Sequence, residues 1–144
     1  MSVNKGDRRE SKVQFDATYF KVFDDAVNLT ENNFYAKSDV AEKRKRFIDR
    51  MSDAVLKSVT EIGTQIRIAN SIYPMYQSEL EQRRIAQEKA IGYCFDLLTK
   101  YQLILTELKV PQEKHTEEIN HLVHEINCLK KWRSSDNKRF KNLG

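Results

Sequence analysis

At 144 residues, 40% of them hydrophobic and 32% charged, the chain has the length and composition of one domain built from amphipathic helices. Two prolines and four glycines are too few for a sandwich or barrel, which needs turn punctuation at roughly 8–12-residue spacing, and no run approaches the ~20 apolar residues of a membrane span. The net charge of +4 and pI near 9.0 permit a polyanionic partner without requiring one.

In chain order, residues 1–11 are polar and aperiodic and read as a flexible arm; the apolar core of a secretion signal does not follow them. A first helical pattern then places Phe15, Tyr19, Phe23 or Val22, Ala26, Val27, Thr30 and Phe34 at spacings of three and four. Tyr35–Asp39 break it, and Asp39 with Glu42, or Ser38, caps the next helix. That second helix is expected from about Val40 to about Tyr73, a rod ~50 Å long with a stripe of Phe47, Met51, Val55, Val59, Ile62, Ile66 and Ala69. Gly63, on the apolar side of the rod, reads as a point of close packing rather than a hinge.

Pro74 drives Tyr73 out of the α region and ends that helix. Ser78 with Glu81 forms a capping box, so the third helix opens near Glu79 and carries Leu80, Gln87, Ala90, Ile91, Cys94, Leu97, Leu98, Tyr101, Ile104, Leu105 and Leu108. Pro111 separates it from a fourth helix with Ile119, Leu122, Val123, Ile126, Leu129 and Trp132, and Ser134–Asp136 offer a stop. Short connections between four amphipathic helices predict an all-α, antiparallel up-down four-helix bundle over residues 12–133, followed by a basic C-terminal tail over 134–144.

The residues of catalysis do not converge. All three histidines, His115, His121 and His124, fall on the fourth helix. Glu118-x-x-His121 has di-iron spacing, but the second such pair that a site of that kind needs is absent. Neither a phosphate-cradling glycine loop nor a glycine-flanked serine is found. Cys94 and Cys128 do not form a metal spacing, and Cys94 among Ile91, Leu97 and Leu98 reads as an inert core thiol. The expectation is a non-enzymatic, reduced, cytoplasmic protein without metal or cofactor.

The basic residues, by contrast, are clustered. Lys43, Arg44, Lys45, Arg46 and Arg50 crowd the start of the second helix, against Glu42 and Asp49; Arg83 and Arg84 lie early in the third. From Lys130 to Lys141 the chain holds six basic residues, Lys130, Lys131, Arg133, Lys138, Arg139 and Lys141, and one acid, Asp136. Antiparallel folding is expected to bring the first and last clusters to one end of the bundle. The result would be a positive zone that binds phosphate backbones through counterion release. Trp132 and Phe140 are placed to stack on bases, although Trp132 also continues the apolar stripe and reads first as core. At least one of Arg83 and Arg84 is expected to pair with a carboxylate such as Glu79, Glu81 or Glu88, with Arg84–Glu88 spaced for it; pairing is the favoured reading for Arg84 and less so for Arg83, which lies near the Leu80–Gln87 stripe. The competing readings are solvated helix faces and an interaction scaffold for an acidic partner.

Three segments carry a family resemblance: Asn70-Ser-Ile-Tyr-Pro74, Glu81-Gln-Arg83-Arg84-Ile-Ala-Gln87-Glu-Lys-Ala90-Ile91, and Leu129-Lys130-Lys131-Trp132-Arg133-Ser-Ser-Asp136-Asn137-Lys138. Over roughly residues 65–140 the chain resembles the accessory variability determinant proteins of diversity-generating retroelements, which are similar in turn to the four-helix-bundle proteins encoded in ribosomal-RNA intervening sequences. The resemblance implies a small basic bundle assembled into a ring-like homopentamer. Such a ring partners the retroelement reverse transcriptase and binds nucleic acid, RNA or DNA, during mutagenic copying of a template repeat. It also implies that Arg83, Arg84, Lys130, Lys131, Arg133, Lys138 and Arg139 contact nucleic acid. The chain departs from the family in its polar start, Met1–Ser11, and in the acidic opening of its fourth helix, Glu113–Glu118. Phe20, off the main stripe beside Tyr19 and Phe23, widens the apolar arc of the first helix, as a contact between protomers or a broad core-facing stripe would require.

Overall fold

The computed structural model describes residues 5–143, with side chains from residue 17 onward. Helix α1 spans Lys5–Glu31 and is followed by a short 3-10 turn, Asn33–Tyr35; α2 covers Ser38–Lys43, α3 Lys45–Ser71 and α4 Gln77–Glu107. A second 3-10 turn, Gln112–His115, leads into α5, Thr116–Arg139. Among the described residues there is no strand. α3 packs along α4, α4 on α5, α5 on α1 and α1 on α3, the packing of a helical bundle around one core.

That core follows the apolar periodicity. Val22, Ala26 and Leu29 of α1, Val55, Val59 and Ile62 of α3, Ala90, Cys94, Leu97 and Ile104 of α4, and Leu122, Ile126 and Leu129 of α5 are all buried in it. Gly63 is a close-packing point, as its place on the stripe suggested. The Tyr19 ring lies against it and the Tyr19 hydroxyl donates to the Val59 carbonyl at 2.8 Å; an added Cβ at Gly63 would collide with that ring.

Several boundaries differ from the sequence expectation. α1 already begins at Lys5, inside the stretch read as an arm; Met1–Asn4 and the side chain of Phe15 lie outside the described residues. The expected 50 Å second helix is divided: Arg44, at φ −107° and ψ 18°, separates α2 from α3, whose 27 residues span ~40 Å. Neither Asp39 nor Ser38 caps α2, which begins at Ser38 behind Lys37 without a side-chain cap. α4 starts two residues before the expected Glu79, at Gln77: the carboxylate of Glu79 accepts from the backbone N–H groups of Met75 and Tyr76 at 3.0 Å each. At the other end, α5 does not stop at Ser134–Asp136 but runs to Arg139, because Asp136 and Phe140 are buried in the bundle and hold the last turns against it.

The turn after α1 is left-handed at three consecutive residues, Asn33, Phe34 and Tyr35, with φ of 50°, 55° and 59°. Each such non-glycine residue costs about 1–2 kcal/mol. The turn persists because it drives Phe34 fully into the core and lays the Tyr35 ring on that of His115, 5.3 Å between centroids.

Candidate nucleic-acid interface

The first turns of α4 and the last turns of α5 are joined by a buried polar cluster. Arg83 grips Asp136 with both branches of its guanidinium, Nε to Oδ2 at 2.6 Å and Nη2 to Oδ1 at 3.1 Å, while Nη1 donates to the Ile72 carbonyl at 2.9 Å. Gln87, one turn along α4, donates to Asp136 Oδ2 at 2.6 Å. The guanidinium also lies over the Trp132 and Phe140 rings at 5.1 and 5.8 Å. Each nitrogen of the Arg83 fork is thus set against a protein group, and the residue is only 7% exposed. This corrects the expectation for Arg83: its charge neutralises a buried carboxylate and is not presented to phosphate. Arg84 meets Glu81, one of its expected partners, at 2.7 Å, and Asn137 at 2.8 Å.

The sequence held a signal for this cluster. Arg83 and Gln87 interrupt the buried face of α4, and Asp136 stands four residues past Trp132 on the buried face of α5. Polar residues at core positions on two helices are each other's natural partners, since a buried charge must be paired.

The two basic clusters do not share a pole. Arg44, at the start of α3, bridges Glu107, the last residue of α4, at 2.7 Å. Asp136, near the end of α5, bridges Arg83, near the start of α4. Arg83 and Glu107 stand ~36 Å apart along that continuous helix, several times the ~8 Å screening length at physiological salt. The expected union of the Lys43–Arg50 cluster with the C-terminal cluster is therefore overturned. The cause is the short link between Leu108 and His115, which seats the start of α5 beside the end of α4, so the final turns of α5 reach the far end.

The two clusters also differ in quality. Lys43, Lys45, Arg46 and Arg50 are exposed but interleaved with exposed Glu42, Asp49 and Asp53, and Arg44 is paired. On α5, Lys130, Lys131, Lys138 and Arg139 are exposed and Arg133 half-buried. The acid in this stretch, Asp136, is sequestered by Arg83. Lys130 lies over the exposed Phe95 ring at 5.4 Å and Arg139 over Phe140 at 5.3 Å. At ~100° per residue, Lys130, Lys131 and Lys138 occupy one outward face of α5. Among the described residues, none of these α5 cations makes an ion pair.

Trp132 and Phe140 are both buried, so neither ring is open to a base. Trp132 is core, as its stripe position indicated.

The histidines are divided among three environments. His121 Nδ1 meets Asp25 Oδ2 of α1 at 2.6 Å; burial raises the Asp25 carboxyl and the His121 hydrogen bond partly opposes it. His115 is buried beside Tyr101 and Glu118, and burial lowers its pKa. His124 lies exposed on α5 near Cys128. Among the described residues, no group of three or more His, Cys, Asp or Glu is arranged to hold a metal ion, and no helix is long and apolar enough to cross a membrane.

The most perturbed carboxyl lies in the core. Glu125 is fully buried, neither of its oxygens makes a hydrogen bond of good geometry, and burial pushes its pKa up to about 7 despite the Thr18 hydroxyl nearby. It in turn raises Cys94, whose thiol burial has already pushed well above the usual range.

Fold and site together define an all-helical protein, packed as a helical bundle, with an exposed basic face on the C-terminal half of its last helix. Comparison with family models, curated proteins and solved structures gives no match.

Proposed function

We propose that the chain is a non-enzymatic nucleic-acid-binding accessory protein whose contact surface is the C-terminal half of α5. The observation that carries this reading is the outward face of Lys130, Lys131 and Lys138, continued by Arg139 and Lys141, with its one acid withdrawn into the Arg83 bridge. Cations without acidic neighbours bind phosphates and release counterions, which gives affinity and salt dependence without base readout. The Lys43–Arg50 cluster forms a second, weaker contact, because carboxylates stand among its cations.

In this reading the four long helices run alternately up and down, and copies assemble into a ring-like homo-oligomer, with a pentamer as the form the resemblance implies. Exposed Ile85, Phe95 and Leu103 share one face of α4 with Gly92, where the helix surface is open, and Phe20 of α1 is 57% exposed. Such faces support contacts between protomers. A ring repeats one modest basic surface and raises avidity without new contacts. The partner is a reverse transcriptase engaged in mutagenic copying of template RNA, a reading that rests on the resemblance.

The test is an electrophoretic titration of RNA and DNA at several salt concentrations, comparing wild type with the triple variant Lys130→Glu, Lys131→Glu, Lys138→Glu. The variant is expected to bind weakly and to lose about 0.7 from its salt slope per single-strand phosphate contact removed, with unchanged helicity. Equal binding by the two proteins refutes the reading.

A further inference from the structure

The end of the bundle where α5 finishes displays an aromatic ring that the charge pattern did not point to. Tyr76, in the link between α3 and α4, is 65% exposed, and its neighbour Met75 is 64% exposed. Their backbone is fixed all the same: Glu79 accepts from both N–H groups at 3.0 Å, and the preceding Pro74 is buried. Tyr73, three residues earlier, meets Phe140 edge-on at 5.7 Å, and Arg139 lies over the same Phe140 ring at 5.3 Å. The link and the last turn of α5 are therefore side by side.

Among the described side chains, the cations Lys138, Arg139 and Lys141 of this end are exposed and stand without ion pairs. Of the described carboxylates in the link, the first turns of α4 and the last turns of α5, Asp136 is engaged by Arg83, Glu81 by Arg84, and Glu79 by the link's own backbone. A rigidly presented, solvent-facing ring beside exposed cations fits a ligand that offers both a flat π-face and a phosphate backbone.

We propose that this end of the bundle takes single-stranded nucleic acid, with Tyr76 stacking on an unpaired base while Lys138, Arg139 and Lys141 hold flanking phosphates. The proposal rests on the nucleic-acid reading above and deepens it, since a duplex keeps its base faces covered by stacking and offers Tyr76 nothing. Discrimination between strand and duplex thus falls to the tyrosine, and affinity for phosphate to the cations.

The test measures fluorescence anisotropy of the full chain with three labelled probes: a short mixed-sequence RNA strand, the same sequence as a duplex, and an abasic sugar-phosphate strand. Wild type is expected to prefer the RNA strand over the other two. Tyr76→Ala is expected to lower affinity for that strand about tenfold, with the salt slope and the abasic affinity unchanged, and Tyr76→Phe to retain strand affinity. Circular dichroism checks that each variant is folded. Equal affinity of wild type for all three probes, or a Tyr76→Ala loss that is absent or equally large on the abasic strand, overturns the assignment of Tyr76 while the phosphate reading stands. Failure of wild type to bind any of the probes overturns both, as does binding of an acidic peptide in their place.

Discussion

Glu125→Gln isolates the least comfortable group in the fold. The Glu125 carboxyl is fully enclosed, and its pKa rises from 4.5 to about 7 because burial penalises the charged form. A carboxyl whose folded pKa lies above its unfolded value binds more protons when folded, so stability is highest below pH 4.5 and falls as pH rises through 7. The full swing is roughly 3–4 kcal/mol, at ~1.4 kcal/mol per pKa unit, and most of it falls between pH 5 and pH 8. His115 acts in the opposite direction: burial holds its pKa down, so its contribution grows as pH rises toward 6.5. The assay is urea denaturation of wild type and Glu125→Gln across pH 5 to 8, taking the difference between the two stability curves so that His115 and every other shared group cancels. The difference should shift by roughly 2–3 kcal/mol in favour of the glutamine variant as pH rises. A difference that is flat with pH would mean that Glu125 reaches water or a partner, and would refute the burial argument.

Three further outcomes are expected from the geometry. Asp136→Ala leaves the buried Arg83 guanidinium without its carboxylate and should cost about 3–5 kcal/mol in denaturant unfolding. Lys109 is exposed and left-handed, φ 56°, just past α4, where Val110 N–H closes back on the Leu105 carbonyl at 2.9 Å; Lys109→Gly should stabilise by about 1 kcal/mol, read as a shift in the urea midpoint. Gly92→Ala gains about 1 kcal/mol of helix propensity in open space, whereas Gly63→Ala should destabilise despite the same gain, because its Cβ meets Tyr19; thermal melts of the pair distinguish the two.

Much of the fold is legible because the apolar residues of α3, α4 and α5 recur at helical spacing and a buried stripe needs little more. The interruption at Arg44 is not legible: nothing in Lys43-Arg44-Lys45 breaks a helix, and only the docking of Arg44 on Glu107 marks the place. The left-handed Asn33–Tyr35 turn is equally hidden, since no glycine announces it and the burial of Phe34 holds it.

The candidate site is half legible. Charge clustering identifies the α5 cations, but where a cluster ends up depends on which helix ends meet, and composition along the chain does not carry that information. Arg83 stands at a core position in the sequence, but its partner lies 53 residues away, and only the packing of α4 on α5 identifies it. Tyr76 gives no signal there, because an exposed aromatic in a link has no periodicity to reveal it.

The most direct measurement is a side-by-side reversal of the two basic clusters, read as salt-dependent affinity for a short RNA strand. Reversing Lys130, Lys131 and Lys138 should remove most of the affinity and flatten the salt slope, whereas reversing Lys43, Lys45 and Arg46, toward the opposite end of the bundle, should change both far less. Equal losses from the two reversals, or the larger loss from the second, would contradict the assignment of the α5 face as the principal nucleic-acid interface.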